Sequence, residues 1–312
     1  MPELPEVETT TKGLRVEVVG LKILDVWTDL KTKDKRKADT VANPRHFPLF
    51  KKEILNTKIL QAERRAKNIL LHLSNKKSIL IHLKMTGHLL YGTYVFVPNE
   101  NKWIPKSQNI KNINYEKEGA LSDPFNRFVH VVFSLSNGKH LAFSDMRKFG
   151  KITLLETEKL YQSKHLKNLG PEPLEKSFIS KTLKVCLSKR PTGKIKTVLM
   201  DQSVLVGVGN IYSDEILFHA NIHPEKIVSK LSDTEIKNIH TWMQKILKKG
   251  IDFGGDSMSD YRNIYGLPGK FQMHHKAYRR TGQKCLLKNC SGIIHRKVIN
   301  GRSAHFCNLH QK

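Results

Sequence analysis

The sequence predicts an α+β protein, in which an N-terminal helix and an antiparallel β-sandwich domain precede a helical domain and a C-terminal β-hairpin module. Three observations support this class. Val7, Thr11, Leu14 and Val18 repeat at helical spacings of four, three and four. Between residues 22 and 156 the pattern changes to short β-rich runs, and beyond Gly170 helical periodicity returns. We therefore predict domains over residues 1–156, 172–252 and 270–312.

The first half of the chain contains one predicted helix followed by several predicted β-strands. Prolines and glutamates open a helix predicted over residues 2–19, as suits a helix N-terminus. Residues 69–73, 78–83 and 128–133 are β-rich runs, and Asn137-Gly138 between two such runs indicates a hairpin. Residues 97–125 are polar, asparagine-rich and without a clear period, so we predict a long surface insertion there.

The second half begins after Gly170-Pro171-Glu172-Pro173, which is typical of a boundary between domains. Helical periodicity covers residues 178–187, 195–200, 211–218 and 231–247. The last of these segments has a capping box, with Ser232 followed three residues later by Glu235. Glycines, tyrosines and basic residues after Gly250 indicate loops and strands.

The composition of the chain indicates what kind of partner it binds and in which cellular compartment it works. The 312 residues carry 54 Lys and Arg against 28 Asp and Glu, a formal net charge of +26. Basic residues occur along the whole chain, so we predict a long contact with a polyanion, since neutralised phosphates release condensed counterions. The first fifteen residues hold three glutamates and no apolar run, unlike a secretory signal. We expect an intracellular, cytoplasmic protein without membrane contact.

The opening residues Pro2 and Glu3 can carry nucleophilic chemistry. A small second residue permits removal of Met1, which leaves Pro2 with a free secondary amine. Such an amine can attack an aldehyde carbon, for example C1′ of a sugar, and form a covalent iminium. Glu3 beside it offers a carboxylate for proton transfer. A well-started helix explains the same residues without any chemistry.

A glycine-bearing turn at residues 205–215 lies between two predicted helices. Gly207 and Gly209 allow the backbone to approach a partner closely, and the next helix offers free N–H groups to a phosphate. Asn210 can cap that helix or donate to a phosphate. An ordinary capped helix-turn-helix has the same local pattern.

A cluster near the C-terminus has metal-ligand spacing. Cys285 and Cys290 are followed after a strand-length spacer by Cys307 and His310, which together supply four tetrahedral ligands for one structural Zn²⁺ ion. His305 is an alternative ligand, and three reduced cysteines without metal are the simplest alternative. Asn300-Gly301 between two short strands places Arg302 at a hairpin tip, where a guanidinium can bind phosphate.

These motifs, in this order, resemble the formamidopyrimidine-DNA glycosylases over nearly the whole chain. The resemblance implies an enzyme that excises oxidised purines such as 8-oxoguanine from double-stranded DNA and cleaves the strand by β,δ-elimination as an AP lyase. It also implies that Pro2 is the Schiff-base nucleophile and Glu3 an acid/base. The family pattern has four zinc-binding cysteines with two residues inside each close pair, so the spacing after Cys285 and the use of His310 depart from it.

Further roles follow from the same resemblance. Asn210 corresponds to the DNA-binding asparagine of a helix-two-turn-helix motif, and Arg302 to the zinc-finger tip that acts in binding and catalysis. Residues 82–87 resemble the strand-turn that carries a methionine wedge, and residues 145–150 the loop that fills the void left by a flipped base. The remaining implied residues are Lys67 as a catalytic phosphate contact, His82, Met85, Arg147 and Phe149 as DNA contacts, and Glu6 and Glu215 in the lesion pocket.

Two other functions stay open at this point. An endonuclease VIII-like enzyme for oxidised pyrimidines usually opens Pro-Glu-Gly-Pro, whereas this chain reads Pro2-Glu3-Leu4-Pro5. Residues 259–272 also resemble the lesion loop of the purine enzymes and the strand after it. A non-catalytic DNA-binding protein on the same scaffold would have no need for Pro2, Glu3 and Lys67. We expect a monomer that binds DNA containing oxidised bases or abasic sites.

Overall fold

The computed structural model describes residues 1–106, 119–258 and 260–312. The chain forms two compact units. Unit 1 contains residues 1–2, 6–167 and 254–269, and unit 2 contains residues 3–5, 168–253 and 270–312. Within the described ranges, no helix is long and apolar enough to cross a membrane.

Unit 1 is an antiparallel β-sandwich with helix α1, Leu4–Glu17, of which residues 6–17 belong to this unit. One sheet has the order β1-β8-β9-β5 and the other the order β10-β4-β3-β2. The strands of the first sheet are β1 Ile23–Thr28, β5 His88–Gly92, β8 Val129–Leu135 and β9 His140–Ser144. Those of the second are β2 Ile59–Arg65, β3 Asn68–Leu73, β4 Lys77–His82 and β10 Lys151–Glu156.

Both sheets and α1 contribute to one hydrophobic core. Val7, Leu14 and Val18 lie in this core, so the helical spacing at the N-terminus does mark a buried face. Val131 and Phe133 enter it from β8, and Ile69, Leu71, Ile79 and Ile81 from β3 and β4. The β8–β9 hairpin turns at Gly138, whose φ of +78° is the left-handed conformation that a glycine adopts at little cost.

A second helix, α2 at Phe47–Ile54, interrupts the β-rich region and was not predicted. Phe50 and Ile54 are buried one turn apart, and Pro48 lies in the first turn, where its missing N–H is harmless. Apolar residues at 47, 50 and 54 have helical spacing in the sequence. The prolines and charged residues around them obscure that signal.

The predicted insertion at residues 97–125 is only partly described, because residues 107–118 lie outside the described ranges. It starts at a small hairpin formed by β6 Tyr94–Val97 and β7 Lys102–Pro105. It ends in two short 3₁₀ turns at Gly119–Ser122 and Pro124–Asn126. Ser259, the first residue of the predicted lesion loop, is also outside the description.

Unit 2 combines four helices with a hairpin. The helices are α3 Ser180–Leu187, α4 Ile195–Met200, α5 Asn210–Ala220 and α6 Asp233–Asp252. In α6 the predicted capping box is present, and Ile236, Ile239, Met243 and Ile246 form its buried stripe. Leu4 packs with this helical core.

The hairpin of unit 2 consists of β11 Ile294–Ile299 and β12 Arg302–Cys307. It belongs to the same compact unit as the four helices, while residues 254–269 belong to unit 1. Loop and strand character was expected after Gly250, and β11 and β12 provide the strands, while the described part of residues 254–293 contains none. The domain boundaries drawn from the sequence stay a prediction.

Candidate functional site

The carboxylate of Glu3 lies at the N-terminus of α5. Its Oε2 accepts hydrogen bonds from the backbone N–H groups of Gly209 at 2.6 Å and Tyr212 at 3.4 Å, and its Oε1 accepts one from Ile211 at 2.9 Å. The residue is 2% exposed. The free N–H groups and the dipole of a helix N-terminus stabilise a carboxylate there. Glu3 is therefore fixed in position directly after Pro2 in the chain.

This geometry corrects the sequence-based reading of the glycine turn. A Cβ on Gly209 would lie 2.4 Å from Cδ of Glu3, and one on Gly207 would lie 2.6 Å from Cβ of Leu4. The glycines thus make room for residues 3 and 4, and Glu3 occupies N–H groups that we expected to be free for a phosphate. Asn210 does not cap α5 either, since Gly209 is the N-cap residue.

The residue proposed as nucleophile, Pro2, is buried, whereas Met1 before it is 46% exposed. An exposed first residue is accessible to a processing enzyme. Removal of Met1 would convert the Pro2 nitrogen from an amide into a secondary amine.

Two further segments with predicted DNA contacts meet in unit 1. The hydroxyl of Thr86 donates to Asp145 Oδ1, and it accepts the backbone N–H of Arg147 at 3.1 Å. Asp145 Oδ2 accepts the N–H of Gly150 at 2.7 Å, which closes the loop of residues 145–150. The turn after β4 and this loop are therefore held together by side chains, although they are sixty residues apart in sequence.

The side chains that these segments present are exposed. Met85 is 36% exposed and Phe149 is 45% exposed, while the Arg147 guanidinium lies 4.7 Å from the centre of the Phe149 ring. Large apolar side chains at such positions usually pack in a core. Their exposure fits side chains that contact a partner.

A cationic cluster surrounds the end of β4. His82 pairs with Asn68 and Lys151 in the neighbouring strands, and its Nδ1 accepts the N–H of Lys84 at 3.0 Å. Burial, reinforced by Lys84, Lys67 and Lys151, lowers the pKa of His82 to about 3. The ring is therefore neutral at pH 7. Lys67, on the turn between β2 and β3, is only 5% exposed.

Glu6 and the loop of residues 254–269 are in contact within unit 1. Glu6 is 1% exposed, and its Oε1 accepts the N–H of Asp256 at 2.7 Å. The Tyr261 hydroxyl donates to the Glu6 carbonyl oxygen at 3.0 Å. Glu6 thus fixes the start of the segment that resembles a lesion loop.

The Glu215 carboxylate, in contrast, binds the backbone of residues 276–278. Its two oxygens accept the N–H groups of Lys276, Ala277 and Tyr278 at 2.8 to 2.9 Å, and the residue is 1% exposed. This arrangement fixes residues 276–278. Its predicted role in a lesion pocket has no further support in the geometry.

Arg302 is exposed at the tip of the β11–β12 hairpin, as expected, with Asn300 and Gly301 forming the turn. The next residue, Ser303, accepts a hydrogen bond from Asn210 Nδ2 at 3.3 Å. The structure therefore brings the predicted DNA-binding residues of the helical motif and of the hairpin together.

A buried ion pair supports this junction and was not anticipated from the sequence. Lys196 Nζ lies 2.5 Å from Asp214 Oδ1, and both side chains are 1% exposed. Asp214 Oδ2 accepts the backbone N–H of His305 at 2.9 Å and lies 2.9 Å from its Nδ1. Lys196 Nζ also donates to the Asn210 carbonyl oxygen at 3.4 Å. Lys196, which appears in the sequence as one lysine among many, thus links α4, α5 and β12.

The four predicted metal ligands converge. One ligand atom from each of Cys285, Cys290, Cys307 and His310 lies within 4.8 Å of the others. The sulfurs of Cys290 and Cys307 are 3.7 Å apart, and His310 Nδ1 lies 3.4 Å and 3.8 Å from the sulfurs of Cys285 and Cys290. Tetrahedral Zn–S and Zn–N bonds of normal length place ligand atoms about 3.6 to 3.8 Å apart. The four residues can therefore hold a metal ion.

The surroundings of His310 suit a metal ligand. Its Nε2 lies 3.2 Å from the carbonyl oxygen of Phe218, which fixes the tautomer that leaves Nδ1 for a metal. Burial lowers the pKa of His310, which favours the neutral ring. His305, the alternative ligand, is directed to Asp214 and lies outside the cluster.

A basic cleft of about 670 Å³ lies in unit 1. Lys31, Lys33, Lys35 and Arg45 line it together with Asp34, whose carboxylate pairs with Arg36. Lys37 Nζ donates to the Lys148 carbonyl oxygen at 2.6 Å, so the basic segment is tied to the loop of residues 145–150.

Comparison with known proteins agrees with this geometry. Residues 1–152 match the formamidopyrimidine-DNA glycosylase N-terminal domain, and residues 169–262 match the formamidopyrimidine-DNA glycosylase H2TH domain. The formamidopyrimidine-DNA glycosylase of Pelotomaculum thermopropionicum is 36% identical over 100% of this chain and 99% of its own length. That of Herpetosiphon aurantiacus is 36% identical over 98% of each chain.

Solved structures give the same result. The complex of Lactococcus lactis Fpg with DNA that contains an abasic site superposes with a TM-score of 0.79 and 29% identity, covering 99% of both chains. A complex of wild-type Lactococcus lactis Fpg with DNA that contains N7-benzyl-Fapy-dG has a TM-score of 0.79 and 29% identity over 100% of both.

These matches define the class of the protein, a DNA glycosylase that also acts as an AP lyase. More narrowly, the chain belongs to the formamidopyrimidine-DNA glycosylase family.

Proposed function

We propose that this chain removes oxidised purines, 8-oxoguanine and formamidopyrimidines, from double-stranded DNA and then cleaves the strand, with Pro2 as nucleophile and Glu3 as acid/base. The observation that carries the proposal is the fixed carboxylate of Glu3, held by the N–H groups of Gly209, Ile211 and Tyr212. These donors hold a buried carboxylate at the residue that directly follows Pro2 in the chain, where a proton carrier is needed. The names of the relatives support formamidopyrimidines as substrates, and 8-oxoguanine follows from the resemblance to the family.

The chemistry needs a neutral amine and a proton carrier. Once Met1 is removed, the Pro2 nitrogen forms a bond to C1′ of the damaged nucleotide, and the bond from C1′ to the base breaks. The base leaves with the electron pair and takes up a proton. Sugar-ring opening then gives an iminium, and Glu3 carries protons to and from the sugar at that stage. Elimination of the flanking phosphates cleaves the strand.

DNA contacts complete the proposal. We assign phosphate binding to Lys67, His82, Asn210 and Arg302, with Lys67 and Arg302 also acting in catalysis, and void filling to Met85, Arg147 and Phe149. Glu6 is assigned to the lesion pocket because it contacts Asp256 and Tyr261, and Glu215 is assigned to it on the family resemblance alone. The grouping of Met85 with Arg147 and of Asn210 with Arg302 supports these roles. We propose a monomer that acts inside the cell, and DNA affinity that falls steeply with salt.

Borohydride trapping on a duplex with one 8-oxoguanine tests the proposal. The purified protein should give a covalent adduct whose intact mass equals the Met1-free chain plus the DNA fragment. A control protein with one extra residue retained before Pro2 keeps the side chains but has an amide in place of the Pro2 secondary amine, and it should give no adduct. Pro2→Gly should lower strand cleavage by at least about a hundredfold. Unchanged cleavage by either protein would remove Pro2 from the mechanism, and preference for a thymine glycol duplex would move the chain to the pyrimidine branch.

We further propose that the ion bound by Cys285, Cys290, Cys307 and His310 is Zn²⁺. A Cys₃His set with tetrahedral spacing is a normal zinc site, and it stabilises a hairpin module too small for a core of its own. Metal analysis of purified protein should give one zinc per chain. Another metal, or none after purification in zinc-containing medium, would contradict this assignment.

A further inference from the structure

The end of the insertion packs against the loop that follows residue 259. Asn126 is 1% exposed, and its Nδ2 donates to the carbonyl oxygens of Ala120 at 2.8 Å and Gly266 at 3.3 Å. Gly266 has a φ of +83°, and a Cβ there would lie 2.5 Å from the Ala120 oxygen. The two backbones are therefore in close contact, and Asn126 joins them.

A second contact holds the same loop. Arg262 is 7% exposed, and its Nε lies 3.1 Å from Asp123 Oδ2. The guanidinium also lies 4.6 Å from the centre of the Phe125 ring. Asp123 is itself fixed, because its Oδ1 accepts the N–H of Phe125 at 2.8 Å. A buried arginine with a carboxylate and an aromatic face is a strong positional restraint.

Asn126 is also connected, through His88, to the turn after β4, where we proposed DNA contacts. Its Oδ1 lies 2.9 Å from Nε2 of His88, a residue that is 1% exposed. Nδ1 of the same ring lies 3.2 Å from the carbonyl oxygen of Thr86. The Thr86 hydroxyl, in turn, binds Asp145 and the N–H of Arg147. One chain of packed polar groups therefore runs from Gly266 to the segments that carry Met85 and Arg147.

We propose that residues 119–126 position the loop of residues 260–269 for recognition of an everted base, and link that loop through His88 to the void-filling side chains. This inference rests on the proposed function, in which residues 259–272 resemble a lesion loop. Asn126 and Asp123 are positioning residues, because they act through Gly266 and Arg262. Residues 119–126 thus serve base recognition rather than general DNA affinity.

The test compares two substrates. An abasic site has no base to place in a pocket, so strand cleavage there does not require the loop. Asn126→Asp, which loses the donors to Ala120 and Gly266, should slow single-turnover excision of 8-oxoguanine by about tenfold to a hundredfold. Its cleavage of abasic DNA should stay within about twofold of the unmodified protein. Asn75→Asp is the matched control, since Asn75 Nδ2 also donates to a backbone carbonyl, that of Glu53 at 2.7 Å.

A second variant tests the same proposal if the Asn126→Asp protein does not fold. Asp123→Asn removes the ion pair with Arg262 at a side chain that is 25% exposed, and it should give the same selective loss. In the double variant with Arg262→Met, the loss should not exceed that of the more affected single variant. Equal loss on both substrates, or no loss on either, would overturn the proposal.

A separate fluorescence measurement tests the proposed link between the loop of residues 260–269 and the void-filling residues. A 2-aminopurine next to the lesion reports unstacking of the DNA, and its response should be delayed in Asn126→Asp only when an oxidised base is present. A response identical to that of the unmodified protein would refute the link. If the unmodified protein does not excise 8-oxoguanine, the proposed function fails instead, so the two failures are distinguishable.

Discussion

The buried ion pair of unit 2 can be broken on one side by the substitution Lys196→Met. Methionine fills a similar volume, but it leaves the Asp214 carboxylate without the Nζ that lies 2.5 Å away. It also removes the donors to Ser213 Oγ at 3.1 Å and to the Asn210 carbonyl oxygen at 3.4 Å. Removing one partner of a buried pair costs about 3 to 5 kcal/mol, because the remaining charge is left uncompensated in a low-dielectric interior.

Thermal unfolding followed by calorimetry measures this cost. At about 2 to 4 °C per kcal/mol, the transition of unit 2 should fall by roughly 6 to 20 °C. Lys194→Met is the matched control, two residues earlier on the same chain. Lys194 pairs with Glu225 at 2.7 Å, but its side chain is 38% exposed, so its loss should cost at most about 1 kcal/mol.

A second substitution tests the cause of the effect. Asp214→Asn in the Lys196→Met background removes the uncompensated charge and keeps an oxygen for the N–H of His305. It should restore part of the lost stability. If Lys196→Met costs no more than Lys194→Met, then the pair is not isolated from water as its exposure indicates, and the reasoning is refuted.

Three further predictions concern the metal cluster, the pH dependence and the glycine turn. His310→Cys should keep one metal ion per chain and His310→Ala should lose it, with His295→Ala as a control; metal analysis that shows equal occupancy in all three would contradict the ligand set. His82 has a folded-state pKa of about 3 against about 6.5 when unfolded, so the unfolded chain binds the extra proton first. Stability should therefore fall by about 3 kcal/mol as the pH drops from 7 to 4. His82→Gln should flatten that part of a denaturation profile, and an unchanged slope would exclude His82 as the cause. Gly209→Ala, whose Cβ would lie 2.4 Å from Cδ of Glu3, should lower strand cleavage by about tenfold or more, whereas Gly138→Asn, at an open hairpin turn, should not.

Much of the fold was readable from local sequence signals. The capping box at Ser232 and Glu235 and the stripe of α6 are short-range patterns, and each fixes a helix end or a buried face without reference to the rest of the chain. Asn137-Gly138 and Asn300-Gly301 likewise define their hairpins through turn geometry alone. The spacing of Cys285, Cys290, Cys307 and His310 is also local, and the structure brings these four residues together as a group that can hold a metal ion.

The contacts that build the candidate site are mostly long-range, and for that reason the sequence did not reveal them. Glu3 meets Gly209 at a separation of 206 residues, and Asn126 meets Gly266 at a separation of 140. No periodicity or propensity registers such a pair. The error at the glycine turn had the same origin, because the turn was interpreted without knowledge of the carboxylate that occupies it.

The contact between Glu3 and α5 can form only late in the synthesis of the protein. The carboxylate leaves the ribosome early, but the backbone donors at residues 209–212 follow about 206 residues later. At 5 to 20 residues per second, this interval is about 10 to 40 s. During that time Glu3 has none of its three backbone donors, and the N-terminus is not yet held against residues 209–212. The surroundings of Glu3 are therefore completed only when more than half of the protein has been synthesised.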